Sequence, residues 1–153
     1  MNDAQKDESL SLQLKRILQA SPERVFRAWT DPRELEQWFS ATEKHQVRVP
    51  ELDPREGGRY RIEYRTPEGI MHVMVGIYRL VQPPEKLVFT WRFEKGGAGD
   101  TETLVTLEMR SHGSGTELVL THEQFPDADV MQKHRDGWSA HLDRFVEHVN
   151  RSV

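Results

Sequence analysis

The most regular hydrophobic pattern in the chain lies near its C-terminus, between Asp127 and Asn150. Apolar or semi-polar residues recur there every three to four positions and charged residues fill the opposite side, which predicts one amphipathic helix of roughly 35 Å. The recurring positions are Met131, Trp138, His141, Leu142, Phe145 and Val149. Asp127 or Asp129 can cap its first turn. Gly137 costs the helix about 1 kcal/mol relative to alanine, which is tolerable if another element must approach closely there.

The first part of the chain predicts a strand followed by two short helices. Leucines alternate with polar residues from Leu10 to a strand end near Leu18, which is typical of a half-buried strand. Ser21-Pro22 and Asp31-Pro32 each place a capping side chain before a proline at the first helical position. The helix pair carries apolar faces and no basic recognition face, which favours packing against a sheet over DNA binding.

Alternation of period two dominates the middle of the chain and predicts six further strands, joined by turns rich in glycine and proline. These strands cover residues 47–52, 60–65, 70–81, 87–93, 103–110 and 117–123. We expect Pro50 and Pro54 to break the first of them. The predicted fold class is α+β: a curved antiparallel sheet of six to seven strands wraps around the long C-terminal helix, with two short helices after the first strand.

Composition narrows the class of protein. The chain has 153 residues, which fits a single domain over residues 10–153 behind a flexible polar tail of residues 1–9. It has no cysteine, no apolar run of membrane-spanning length and no signal-peptide pattern, so we expect a cytoplasmic protein. The formal net charge of −4, with both signs interspersed, argues against nucleic acid as a partner.

At this point the sequence resembles the helix-grip, START-like superfamily, also called SRPBCC, to which the major birch-pollen allergen belongs. Within it the chain is similar to the bacterial branch named after the activator of the heat-shock protein 90 ATPase. The resemblance rests on the segments ASPERVFRAWTDPRELEQWF, EGGRYR, LVFTWRFE, GTELVLTHEQF and HRDGWSAHLDRFVEHV. It spans nearly the whole chain, and it implies a helix-grip fold whose cavity, between the sheet and the last helix, holds small apolar molecules.

The leading functional hypothesis is binding of a small apolar or aromatic molecule in that cavity, without a cofactor and without catalysis. Aromatic faces on converging elements suit such a site, because pockets are mostly apolar with a few polar groups that fix the ligand. The expected ligand-binding residues are Trp38, Tyr60, Tyr64, Met74, Phe89, Trp91, His122, Trp138, His141 and Phe145. A packed core is the alternative reading of the same aromatics.

Two other functions stay open. Resemblance to cyclases and aromatases of the superfamily implies an acid–base enzyme, in which His122, His141 or Glu123 would move a proton. That enzyme needs two of the three side chains in one pocket. A chaperone cofactor or stress-response module would need an exposed apolar patch, and edge strands could pair two copies into a homodimer. The histidine spacing matches no metal-binding motif, so no metal is expected.

Overall fold

The computed structural model describes residues 10–97 and 99–151, so the predicted tail of residues 1–9 lies outside the described residues. Seven strands form one antiparallel sheet in the order β1-β7-β6-β5-β4-β3-β2. They are β1 Leu12–Leu18, β2 Gln46–Leu52, β3 Arg59–Arg65, β4 Met71–Gln82, β5 Lys86–Lys95, β6 Thr103–His112 and β7 Gly115–Glu123. The sheet, two short helices and one long helix confirm the predicted α+β helix-grip fold.

The helices begin where their capping residues predict. Helix α1 spans Pro22–Thr30, α2 spans Pro32–Trp38 and α3 spans Ala128–Arg151. The Asp127 carboxylate accepts a hydrogen bond from the Val130 backbone N–H at 2.9 Å, so Asp127, and not Asp129, caps α3. Ser21 and Asp31 cap α1 and α2 in the same way.

The edge strand β2 differs from the expectation at Pro50. The strand continues through the proline to Leu52, and its pairing with β3 shifts register between Arg48 and Glu51. Proline has no N–H to donate to the neighbouring strand. An edge strand tolerates this loss, especially where the strand pairing is already irregular. Pro50 therefore displaces the ladder locally without ending the strand.

The four tryptophans of the chain form one cluster between the sheet and the helices. The Trp29 ring lies 4.7 Å from that of Trp38 and 6.1 Å from that of Trp138. The Trp138 ring in turn lies 5.0 Å from that of Trp91 on β5. This tryptophan cluster joins α1, α2, α3 and the sheet in one hydrophobic core.

Polar contacts fix α3 to the end of α2. The Arg144 guanidinium donates to the Ser40 hydroxyl at 2.6 Å and to the Gln37 carbonyl at 3.2 Å. The last carbonyl groups of a helix have no hydrogen-bond partner within the helix, and Arg144 supplies one for the Gln37 carbonyl at the C-terminal end of α2. Arg144 thus joins α3 to the C-terminal end of α2.

A second polar contact, at the C-terminal end of α3, joins that helix to α2 through Glu34. The Glu34 carboxylate lies 2.9 Å from Nε2 of His148 and 2.8 Å from the Arg24 guanidinium. Burial alone would raise the pKa of Glu34, but the hydrogen bonds and charges of His148 and Arg24 outweigh it and lower that pKa. The carboxylate of Glu34 is therefore held in its charged form between Arg24 of α1 and His148 of α3.

Candidate ligand-binding site

A cavity of about 310 Å³ opens between α3 and the strands β3, β4 and β5. This volume lies at the lower end of the range for small-molecule sites, about 300–1,000 Å³. Its wall is mostly aromatic, and we call it the α3 cavity. The lining residues are Tyr64, His72, Met74, Trp91, Phe93, Gly97, Lys133, His134, Gly137, Trp138 and His141.

Helix α3 contributes one wall of the cavity, and Gly137 lies in this wall. Lys133, Gly137 and His141 are spaced four residues apart, so they follow one face of the helix and all three line the cavity. A Cβ atom built on Gly137 would meet nothing within 4 Å. Close approach of another element is therefore not the reason for a glycine here, as far as the described residues show. The missing side chain leaves space for the cavity instead.

A stack of three rings stands on the sheet side of the cavity. The Tyr64 ring lies between His45, at 5.0 Å and 17°, and His72, at 4.7 Å and 16°. Nδ1 of His72 accepts a hydrogen bond of 2.9 Å from the Gly97 backbone N–H. The proton of a neutral His72 therefore resides on Nε2, which leaves an N–H donor on a side chain that lines the cavity.

His122 lies behind the cavity wall, fully buried, and both of its ring nitrogens are bonded. The Trp138 indole N–H can only donate, so Nδ1 of His122 accepts at 2.9 Å. Nε2 then carries the proton and donates to the Thr103 hydroxyl at 2.6 Å, and that hydroxyl donates to the Trp91 carbonyl at 3.0 Å. Burial, with the nearby His134 adding to it, lowers the pKa of His122 well below its ordinary value. His122 is a neutral structural group.

His134 is fixed in the opposite tautomer. Its Nε2 accepts from the Trp91 indole N–H at 3.2 Å, and its Nδ1–H donates to the Val130 carbonyl at 2.9 Å. Burial lowers the pKa of His134, which keeps the ring neutral. The two cavity tryptophans, Trp91 and Trp138, thus each donate their only polar hydrogen to a histidine and present their rings to the cavity.

His141 differs from these two histidines, because one of its nitrogens remains unpaired. Its Nδ1–H donates to the Gly137 carbonyl one turn earlier, so Nε2 is the unprotonated acceptor. Burial lowers the pKa of His141 to about 4 despite that hydrogen bond. Among the described residues Nε2 has no hydrogen-bond partner. His141 therefore offers an acceptor on the cavity wall at neutral pH.

The structure brings together some of the predicted ligand-binding residues and separates others. Those that line the α3 cavity are Tyr64, Met74, Trp91, Trp138 and His141. Tyr60 and Phe89 line a separate void of about 20 Å³ beneath α1 and α2. Trp38 and Phe145 are fully buried in the core, as is His122. The sequence predicted the apolar faces but not the depth at which each side chain lies.

Several cavity residues were not predicted from the sequence: His72, Phe93, Gly97, Lys133, His134 and Gly137. Phe93 follows Phe89 and Trp91 in alternation, so it could have been found by extending the apolar face of that strand. Lys133 and Gly137 lie one and two turns before His141 on the same helical face. Helical spacing from His141 would have identified both.

The side chains proposed for proton transfer do not share a pocket. Among His122, His141 and Glu123, only His141 lines the α3 cavity. Strand alternation turns Glu123 away from the buried face on which His122 lies. The geometric requirement stated for the acid–base enzyme is not met by these three residues. Across the described residues there is also no cluster of three metal-ligating side chains.

Comparison with known proteins identifies the family. The sequence model of the family described as "Activator of Hsp90 ATPase homolog 1-like protein" matches residues 19–150. The chain belongs to this AHSA1-like family. That membership confirms the resemblance drawn from the sequence segments. A search of curated proteins gives no match.

Solved structures of similar proteins share the fold of this AHSA1-like chain. A protein from Chromobacterium violaceum is 31% identical, with a TM-score of 0.82 over 92% of this chain and 98% of the other. A Rhodobacter sphaeroides protein is 25% identical, with a TM-score of 0.80 over 94% and 92%. A Silicibacter pomeroyi protein described as AHSA1 is 24% identical, with a TM-score of 0.79 over 94% and 99%.

Proposed function

We propose that this AHSA1-like protein binds a small aromatic or apolar molecule in the α3 cavity and does not itself catalyse a reaction. The observation that carries the proposal is the gap at Gly137. A helix residue without a side chain stands opposite an aromatic wall, and the space is left unfilled. A concave, largely aromatic pocket of about 310 Å³ that no side chain of α3 fills favours a ligand over a packed core.

The surroundings of the cavity support binding more than chemistry. Trp91 and Trp138 offer flat apolar faces, and their polar hydrogens are already bonded to His134 and His122. Those two histidines have both nitrogens engaged, so neither has a free lone pair with which to take a proton. The polar groups left for a ligand are few, as in a binding site whose specificity comes from shape.

The chaperone-cofactor alternative has less support in this structure. In the described part of the chain, the large apolar side chains that are exposed are Ile17, on β1, and Ile70, just before β4. Three strands separate β1 from β4 in the sheet, so these two side chains do not form one patch.

No helix in the described part of the chain is long and apolar enough to cross a membrane.

The test fills the gap and measures binding of a neutral probe. N-phenyl-1-naphthylamine, whose fluorescence rises in apolar surroundings, is titrated into the wild-type protein and into Gly137→Leu. We expect the leucine to lower probe affinity at least about tenfold, because it occupies space that the ligand needs. Glu147→Leu is the matched control, since Glu147 is exposed on the same helix and does not line the cavity.

Equal probe binding by the wild type and both variants would place the probe elsewhere and contradict the proposal. The absence of probe binding, together with the absence of a co-purified small molecule in native mass spectra of protein from its own cells, would also contradict it. A bound mass that is present in the wild type and lost in Gly137→Leu would identify the natural ligand directly.

A further inference from the structure

The polar groups of the α3 cavity are distributed unevenly along it. Among the described residues that line it, Lys133 contributes the one formal charge and none is a carboxylate. Asp129 contacts the Lys133 ammonium at 3.3 Å, but its side chain is 78% exposed and does not line the cavity. The lining therefore favours an anionic group on the ligand.

The position of Lys133 places that anionic group near solvent. The Lys133 side chain is 62% exposed, so a carboxylate beside it keeps much of its hydration and escapes the large cost of burying a charge. His72 adds the Nε2–H donor derived above, which has no partner among the described residues. Two donors at the cavity wall suit the two oxygens of one carboxylate.

At the other end of this face of α3, His141 offers a hydrogen-bond acceptor instead of a donor. His141 lies eight residues beyond Lys133, about 12 Å along the helix axis at 1.5 Å per residue. Its Nε2 is an acceptor without a protein partner among the described residues, and the side chain is half-buried on the cavity wall. A neutral hydroxyl of the ligand can donate to it without burying a charge. Between the two ends, Gly137 leaves the space that a flat ring system would occupy.

From this arrangement we infer that the ligand is an elongated, two-ring aromatic carboxylic acid with a hydroxyl at its far end, lying along α3 over Gly137. The carboxylate contacts Lys133 and His72, and the hydroxyl donates to His141. This inference rests on the proposed function and adds to it the chemical class and the direction of the ligand.

The inferred negative charge of the ligand is tested with two matched probes that differ in one group. Isothermal titration calorimetry compares 6-hydroxy-2-naphthoic acid with 6-hydroxy-2-naphthamide, its uncharged counterpart. We expect the acid to bind about five- to tenfold more tightly, since the ion pair is partly exposed. Lys133→Met should remove this preference. Arg135→Met, which removes a cation of the same helix outside the cavity lining, should keep it.

The hydroxyl is tested by omitting it. 2-Naphthoic acid should bind about fivefold more weakly than the hydroxylated acid, because the His141 acceptor then lacks a donor. In His141→Phe the two acids should bind equally. Circular dichroism of each variant verifies that the fold is retained, so that a difference in affinity reflects contact with the probe.

Each result decides separately on the ligand class and on the function. Equal binding of acid and amide, or a preference that survives Lys133→Met, overturns the inferred class and still supports a ligand site. If the two naphthoic acids and the naphthamide all fail to bind while N-phenyl-1-naphthylamine binds, the inferred ligand class is also overturned and the ligand site is still supported. Failure of every probe, with no co-purified molecule in native mass spectra, overturns both.

Discussion

At the scale of single residues, hydrogen bonds decide what each buried histidine can do. A chain of hydrogen bonds joins His122, Thr103 and Trp91 across β7, β6 and β5. Two residues of α3 extend it, because Trp138 donates to His122 and His134 accepts from Trp91. These bonds determine which nitrogen of each histidine carries the proton, so His122 and His134 are both fixed as neutral tautomers. Sequence alternation placed His122 on the buried face, but alternation cannot show which partner a ring nitrogen meets.

The Thr103 hydroxyl is the centre of this chain and can be removed with little change of shape. We expect Thr103→Val to lower the free energy of unfolding by about 1–3 kcal/mol, because it leaves the buried Nε2–H of His122 and the Trp91 carbonyl without that partner. Chemical denaturation measures the change. Thr106→Val is the control on the same strand and should stay within about 0.5 kcal/mol of the wild type. Equal effects of the two substitutions would show that the chain adds nothing to stability.

At the scale of elements, the capping residues and the period of the apolar positions predicted nearly all of the structure. Ser21, Asp31 and Asp127 mark the helix starts, and the strand alternations mark where the seven strands lie. What could not be predicted is how α3 sits on the sheet. That placement depends on long-range contacts, such as the one between Arg144 and Ser40. The same contacts decide which aromatic side chains form the cavity and which fill the core.

Two glycines in this fold should respond to alanine in opposite directions. Gly137→Ala meets open space and improves helix propensity, so we expect it to raise the free energy of unfolding by about 1 kcal/mol. Gly76→Ala, on β4, would place its Cβ in steric overlap with the Thr90 carbonyl oxygen and 2.5 Å from the Tyr60 ring. We expect a loss of about 3 kcal/mol or more. Denaturant unfolding of both variants measures the contrast, and a destabilised Gly137→Ala would contradict the open gap.

At the scale of the whole molecule, the neutral histidines make stability depend on pH. Burial lowers the pKa of His122 and His134, and lowers that of His141 to about 4. Below about pH 6.5 the unfolded chain binds more protons at these positions than the folded protein does. Their contribution is therefore fully present above pH 6.5, and stability falls as the pH drops from there toward 4. Glu34, whose pKa is lowered, adds a further loss below about pH 4.5.

The His141 share of this dependence can be isolated by substitution. His141→Asn keeps a donor for the Gly137 carbonyl and cannot titrate. We expect its free energy of unfolding to fall less steeply than that of the wild type, by about 1 kcal/mol per pH unit between pH 6 and 5. Urea denaturation at several pH values gives both slopes. Identical slopes would mean that His141 takes up a proton equally in the folded and unfolded states.

The tryptophan cluster has a spectroscopic consequence for the molecule as a whole. All four indoles are in ring contact, and two of them form part of the cavity wall. The electronic transitions of indoles this close couple with one another, so we expect the tryptophan contribution to the near-ultraviolet circular dichroism to come from the cluster as a group. A molecule that touches Trp91 or Trp138 will alter the signal of the entire group, so the protein contains its own optical reporter of occupancy.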